Sequence, residues 1–267
     1  MTNFLSNFEK KTSKDFENNG FIIRDVKNFQ SLKKIRDLFL NSVKKNLKTV
    51  CKIKNDEDTL NLIHKFIKPH QLNVFRMKII NDINKNKEIR KLYYDVSREY
   101  LDILLGNELS MQLRVNLSVQ LPKDNSSLLP LHSDVWSGDS PFETVVWIPL
   151  VNCYGTKAMY ILPPKKYNKI KSTFLISKNL SSEKIFKKIK KDLKWIKINY
   201  GQILIFNQCL PHGNIVNKED ETRWSLNCRF KSIFSPYNDK KIGEFFEPIS
   251  LRKISQLAIK YKLPKIS

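Results

Sequence analysis

Two histidines and one aspartate carry the chemistry that this sequence suggests. His132 and Asp134 stand one residue apart in Leu131-His132-Ser133-Asp134-Val135-Trp136. A further histidine, His212, lies in Pro211-His212-Gly213-Asn214, 78 residues beyond Asp134. If a strand ends at the first motif, both side chains of the His-x-Asp can turn toward one ion. Two imidazoles and one carboxylate on a rigid scaffold leave three positions of an octahedral ion open, the arrangement that holds non-haem Fe(II). A lone His-x-Asp occurs by chance in many proteins, so the specificity lies in the ordered set. The chain has four histidines, and two of them fall in this set. His64 and His70 lie in helical sequence with no carboxylate at metal spacing, and are read as partly buried or capping residues.

The elements that must position these residues are strands. His212 follows the apolar run Ile203-Leu204-Ile205-Phe206, and eleven residues beyond it begins Arg223-Trp224-Ser225-Leu226-Asn227-Cys228-Arg229-Phe230. Strict alternation places Arg223, Ser225, Asn227 and Arg229 on one strand face. Met111 to Leu121 alternates in the same way, with Gln112, Arg114, Asn116, Ser118 and Gln120 opposite Leu113, Val115, Leu117, Val119 and Leu121. Both polar faces are expected to look into a lumen. The planar guanidinium of Arg223 suits a carboxylate in a way that lysine cannot reproduce, and Ser225 can add a hydroxyl. Arg229 either meets a substrate anion or pairs with a buried acid. Trp136 either shapes the substrate pocket or packs at a strand end.

In this order, His-x-Asp, distal His, then Arg one strand later in an Arg-x-Ser, the chain resembles the Fe(II)/2-oxoglutarate dioxygenase superfamily. The opening Gly20-Phe21-Ile22-Ile23-Arg24-Asp25-Val26 before an amphipathic helix is similar to its phytanoyl-CoA-hydroxylase-type members. Residues 110 to 232 are similar to oxygenases of surface-carbohydrate biosynthesis. The resemblance implies Fe(II) held by His132, Asp134 and His212, with Arg223 gripping the distal carboxylate of 2-oxoglutarate. Ser225, Asn116 and Gln120 would lie beside that cofactor, and Arg114, Trp136 and Arg229 toward the substrate. It also implies O2 as co-substrate, with succinate and CO2 as co-products of a hydroxylation. Asp134 separates the chain from related halogenases, which lack this carboxylate. The implied substrate is a sugar, nucleotide sugar or similar polar metabolite. Two other readings stay open: a non-catalytic jelly-roll carbohydrate binder and a nucleic-acid-directed dioxygenase.

The fold class that follows is α+β: a double-stranded β-helix (jelly-roll, cupin-like) buttressed by N-terminal helices, as one domain over 1–267. The buttress spans about 28–105 and the jelly roll about 110–234. Residues 20–26 read as a strand, 31–48 as a helix and 57–105 as helical. Strands follow at 111–121, 143–151, 158–162, 195–199, 202–207 and 222–234. The turn-rich stretches 122–130 and 137–141 flank the His-x-Asp as candidate lids. The Lys-rich stretch 165–192 reads as an outer helix. After Pro236 the chain is expected to be irregular until Ile249, and 251–261 to form a helix with Ile254, Leu257 and Ala258 inward.

Composition narrows the classes. The 267 residues are 41% hydrophobic and 11% aromatic, values of a globular chain, with no run long enough to cross a bilayer. The N-terminus lacks the features of a secretory signal, so a cytoplasmic protein is expected. Cys51, Cys153, Cys209 and Cys228 are widely spaced and form no CxxC pair, and are read as reduced, mostly core residues. The formal charge of +22 would suit a polyanion partner. Its excess is lysine spread over the whole chain with abundant Asn and Ile, as coding bias produces. No basic segment interleaves aromatics as a stacking platform requires, so a small-molecule substrate is expected and a nucleic-acid partner is not.

Overall fold

The computed structural model describes residues 4–53, 55–176 and 181–262. Helix α1 (Asn7–Asn19) precedes strand β1 (Phe21–Asp25). Five more helices follow: α2 (Phe29–Asn46), α3 (Asp56–Asn61), α4 (Pro69–Lys85), α5 (Ile89–Asp95) and α6 (Arg98–Leu105). Then come β2 (Leu109–Gln112), β3 (Asn116–Gln120), β4 (Glu143–Pro149), β5 (Tyr160–Ile161), α7 (Pro164–Ile176), α8 (Ser182–Ile189) and β6 (Lys194–Trp195). The chain closes with β7 (Gln202–Asn207), β8 (His212–Gly213), β9 (Arg223–Ser232), β10 (Phe246–Ser250) and α9 (Lys253–Lys260).

Seven strands form a major antiparallel sheet in the order β1-β7-β4-β9-β2-β10, with β3 paired to the other end of β9. A minor sheet, β6-β5-β8, faces it. The helices cover one face of the major sheet for a reason visible in α4: Pro69 starts it without losing a needed N–H, and Leu72, Phe75, Ile79 and Ile83 bury one stripe. Phe75 meets the fully buried Trp224 of β9 edge-on, and the Trp224 indole N–H donates to the Leu60 carbonyl at 2.9 Å. Tyr93 of α5 donates to the Val146 carbonyl of β4 at 2.8 Å and stacks on Phe230. Because Trp224, Leu226, Cys228 and Phe230 face these helices, alternation turns Arg223, Ser225, Asn227 and Arg229 to the opposite, inner face.

Several expectations need correction. The run 111–121 is two strands: Met111 pairs with Phe230 but Asn116 with Asn227, so β2 and β3 together carry two more residues than β9 spans between them. The excess bulges at Leu113–Val115, where Asn84 of α4 bonds both the N–H and the carbonyl of Val115. The region after Pro236 contains β10, which pairs with β2. Helix α9 forms, but Ile254 and Leu257 are 72% and 55% exposed rather than inward. The strand expected at 195–199 reduces to β6, and that at 158–162 to β5. The Lys-rich stretch is two helices, α7 and α8, and residues 177–180 of it lie outside the described residues. Helix α1 went unread in the sequence, although Ser6 and Glu9 form a capping box at its start. Cys153 and Cys228 are core residues; Cys51 is exposed and Cys209 half-buried. No helix among the described residues is long and apolar enough to cross a membrane.

Candidate metal and cofactor site

His132 and His212 are directly paired across an antiparallel bridge: the His132 N–H donates to the His212 carbonyl at 3.0 Å, and the His212 N–H returns the bond at 2.8 Å. Two residues 80 positions apart are thereby held side by side, with ring centroids 4.3 Å apart. Each imidazole is oriented by the same device. Nδ1 of His132 lies 2.8 Å from the Pro130 carbonyl and Nδ1 of His212 lies 2.9 Å from the Leu210 carbonyl. A carbonyl can only accept, so both Nδ1 atoms carry hydrogen and both Nε2 atoms present lone pairs. Those Nε2 atoms lie 3.6 Å (His132) and 4.0 Å (His212) from Asp134 Oδ1. The three donor atoms fall within 4.8 Å of one another, and among the described residues no other His/Cys/Asp/Glu group does so.

Gly213 follows His212 because nothing larger fits: a Cβ there would sit 2.7 Å from the Leu129 carbonyl oxygen and from the Tyr160 hydroxyl. Asp134 opens a short 3-10 turn, Asp134–Ser137, and its N–H donates to the Gln208 carbonyl at 3.1 Å. Phe206 packs edge-on against the His212 ring.

The electrostatics prepare the three for a cation. Burial pushes the His212 pKa down to about 4, so its Nε2 is free of a proton at neutral pH. Burial also works against the charged form of His132, but Asp134 and the Pro130 carbonyl outweigh it and raise its pKa. Burial opposes ionisation of Asp134 too; the neighbouring His132 imidazole and the positive charge of Arg229 overcome it and hold the carboxyl well below its ordinary range. The guanidinium of Arg229 reaches from the major sheet to Asp134 (Nη2 to Oδ1, 3.1 Å) and to the buried Asp139 (Nε to Oδ1, 3.1 Å). Its Nε donates to Gln208 Oε1 at 3.1 Å, and Lys240 also pairs with Asp139. Of the two roles open to Arg229, the structure provides the buried acids.

Arg223 is 2% exposed. Its Nη2 donates to Ser118 Oγ of β3 at 3.0 Å, while Nε and Nη1 are buried without a partner. Burial lowers its pKa, though a guanidinium stays protonated. Arg223 lines a cavity of about 910 Å³ that also contains His132, Asp134 and His212. A buried cation with unfilled donors, beside two imidazoles and a carboxylate, fits a metal ion with an anionic chelate between them.

The other expected residues divide. Asn116 lines the cavity and donates to Asn227 Oδ1 at 2.9 Å. Arg114 lines it too, but from the bulge: it is exposed and donates to Asn81. Gln120 and Ser225 are fully buried and are not cavity wall; Ser225 Oγ and Gln120 Oε1 lack partners next to Arg223. Trp136 is 48% exposed, lies in the 3-10 turn rather than at a strand end, is not part of the cavity wall and meets Tyr167 of α7. His64 is half-buried against Thr222 and Asn61, whereas His70 is exposed at the cavity mouth. Ser118, Gln208 and Asp139 were missed as site residues. Ser118 had a signal, since it stands on the same alternating face as Asn116; Gln208 and Asp139 had none.

No family model matches the chain, and no curated protein matches it. Solved structures do match. A non-haem monooxygenase, ThoJ, in complex with nickel superposes with a TM-score of 0.57 at 12% identity, covering 91% of this chain and 85% of ThoJ. The non-haem alpha-ketoglutarate-dependent carbocyclase SnoK from nogalamycin biosynthesis gives 0.52 at 13% identity, covering 92% and 97%. HygX from Streptomyces hygroscopicus, with nickel and 2-oxoglutarate bound, gives 0.50 at 11% identity, covering 87% and 89%. At such identities the likeness is one of fold: a jelly roll with N-terminal helices, over nearly the whole chain.

Proposed function

We propose that the chain is an Fe(II)- and 2-oxoglutarate-dependent oxygenase that hydroxylates a small polar, carbohydrate-related metabolite in the cytoplasm. The observation that carries it is Arg223: a buried arginine with two unfilled donor nitrogens lines the same cavity as the His132–Asp134–His212 group. The fold shared with proteins described as non-haem oxygenases, one holding nickel and 2-oxoglutarate, supports the same reading.

In this reading His132, Asp134 and His212 hold the iron, and Arg223 with Ser118 takes the distal carboxylate of 2-oxoglutarate. Bound together, iron and 2-oxoglutarate supply the oxidising power, by decarboxylation to succinate and CO2 coupled to transfer of oxygen from O2. The chain's own residues prepare the site. The Pro130 and Leu210 carbonyls hold both imidazoles in the ligating tautomer. Arg229 keeps Asp134 ionised and in place. Gln120 and Ser225 back Arg223 from behind the wall. Val145, Trp147, Met159 and Phe206 exclude water from the inner end.

A polar group on the substrate is favoured by Asn73, Asn81, Asn116, Ser118 and Asn227, which share the remaining wall with Leu72, Met77, Ile80 and Leu129. A fatty substrate would strand these groups at a cost of about 1–3 kcal/mol for each one left unpaired. The test is succinate release with the iron-loaded protein over sugar nucleotides, free sugars, amino acids, acyl thioesters and oligonucleotides, with product mass checked for one added oxygen. Turnover confined to acyl thioesters or oligonucleotides removes the carbohydrate assignment. Iron binding with no 2-oxoglutarate decarboxylation makes the protein a jelly-roll binding module instead.

A further inference from the structure

The basic residues of this chain are unevenly distributed in a way that coding bias does not produce. Nine of the 48 are arginine and the rest lysine. Yet Arg76, Arg114, Arg223 and Arg229 all line the one cavity that holds the metal-ligating group, and none of the described lysines does. Arginine differs from lysine in offering a planar fork of donors to an oxyanion, so the cavity selects for anion recognition. Two of the four are already committed. Arg229 is paired with Asp134 and Asp139, and Arg223 belongs to the inner end.

Arg76 and Arg114 remain, at the outer end. Among the described residues neither has an acidic partner within ion-pairing distance, and Asp134 is the one carboxylate in the cavity wall. Each is instead oriented by a neutral amide oxygen: Arg76 Nη2 donates to Asn73 Oδ1 at 3.0 Å and Arg114 Nη2 to Asn81 Oδ1 at 2.8 Å. An amide fixes the direction of a guanidinium without cancelling its charge. Both are tied to α4, Arg76 directly and Arg114 through Asn81, with anchor points separated by about 7.5 Å of helix rise. The bulge at Leu113–Val115, which took Arg114 out of the strand, is what brings it to this helix.

We propose that Arg76 and Arg114 form a second anion site at the mouth of the cavity, which takes a phosphate or carboxylate group of the substrate and presents its uncharged remainder to the inner end. This deepens the oxygenase reading and rests on it for the word substrate; the binding itself does not.

The test is calorimetric titration of the full chain, loaded with nickel and saturated with 2-oxoglutarate so that Arg223 is occupied. The probes are glucose 1-phosphate, glucuronate and glucose, which share one scaffold with a phosphate, a carboxylate or neither. At least one anionic probe is expected to bind and glucose to bind more weakly. R76Q/R114Q is expected to weaken that probe by roughly tenfold or more, with R76K/R114K intermediate and the nickel and 2-oxoglutarate affinities unchanged. K184Q/K188Q, which removes the same charge from exposed positions of α8, is expected to leave probe binding as it was. Preference for glucose 1-phosphate assigns a phosphate, and for glucuronate a carboxylate. No binding of either anion, equal binding of glucose, or equal loss in K184Q/K188Q overturns the site. If 2-oxoglutarate fails to bind while the anionic probe still depends on the two arginines, the oxygenase reading falls and the anion site stands.

Discussion

The major and minor sheets contribute to one cavity by opposite means. In the major sheet, Arg223 and Arg229 project from β9, a strand of ten residues hydrogen-bonded to β4 on one side and to β2 and β3 on the other. Their positions follow from strand alternation and long ladders. In the minor sheet β5, β6 and β8 are two residues each, and His132 lies in an isolated bridge. There the side chains are aimed one by one, by a backbone carbonyl on each Nδ1, by the Gln208 carbonyl on the Asp134 N–H, and by the space that only Gly213 allows. Extended pairing places groups cheaply but coarsely, whereas a metal needs three donors to converge, and short segments with individual hydrogen bonds provide that convergence.

Separating the two contributions is the way to test this division. The largest effect is expected from the minor sheet: His212→Ala should lower metal affinity by more than about 100-fold, beyond the loss typical of a group that only supports a ligand, as read by anaerobic iron titration. Next, Arg223→Leu should weaken 2-oxoglutarate binding by about 2–5 kcal/mol while iron affinity stays unchanged. Because it removes a buried cation with unfilled donors, the cofactor-free variant should melt no lower than wild type. Equal 2-oxoglutarate affinity in both proteins would remove Arg223 from the cofactor site.

Arg229 crosses the division, a major-sheet residue that acts on the minor-sheet site. Arg229→Gln should reduce iron affinity by about 10–100-fold and leave 2-oxoglutarate affinity, measured at saturating metal, within the range of wild type. An unchanged iron affinity would make the Asp134 contact purely structural. The smallest effect should come from Gly213→Ala, which must displace the 129–130 backbone or the Tyr160 hydroxyl and destabilise by about 1–3 kcal/mol, seen as a lower melting temperature that iron partly restores.

The order His132, Asp134, His212, Arg223 was readable because it depends on residue types and on the two-residue period of strands, both local properties. So was the helical buttress, from the spacing of Leu32, Ile35, Phe39 and Val43. What escaped depends on pairing across long separations. The break in 111–121 exists because β9 offers two residues fewer than the run in front of it, and alternation within 111–121 cannot reveal that. Arg229 was left between two roles because Asp139 is 90 residues away in sequence and its burial is a property of the assembled fold. Helix α9 has the periodicity of a packed helix, yet periodicity does not say whether a partner surface exists.

The central place of β9 also sets an order of assembly. Strand β3 has β9 as its partner, and β2 pairs with β9 and β10, so both wait for sequence from the last fifth of the chain. Helix α2 packs on α4 and α5, contacts that can form as these helices emerge. The sheet pairings near residues 109–120 are of high contact order and must come late. At a synthesis rate of roughly 5–20 residues per second, the 105 residues from Ser118 to Arg223 take about 5 to 20 s to add. Until then Ser118 and Asn116 belong to an unpaired strand with nothing beside it, and a chain released early would contain the His-x-Asp motif with no cavity around it.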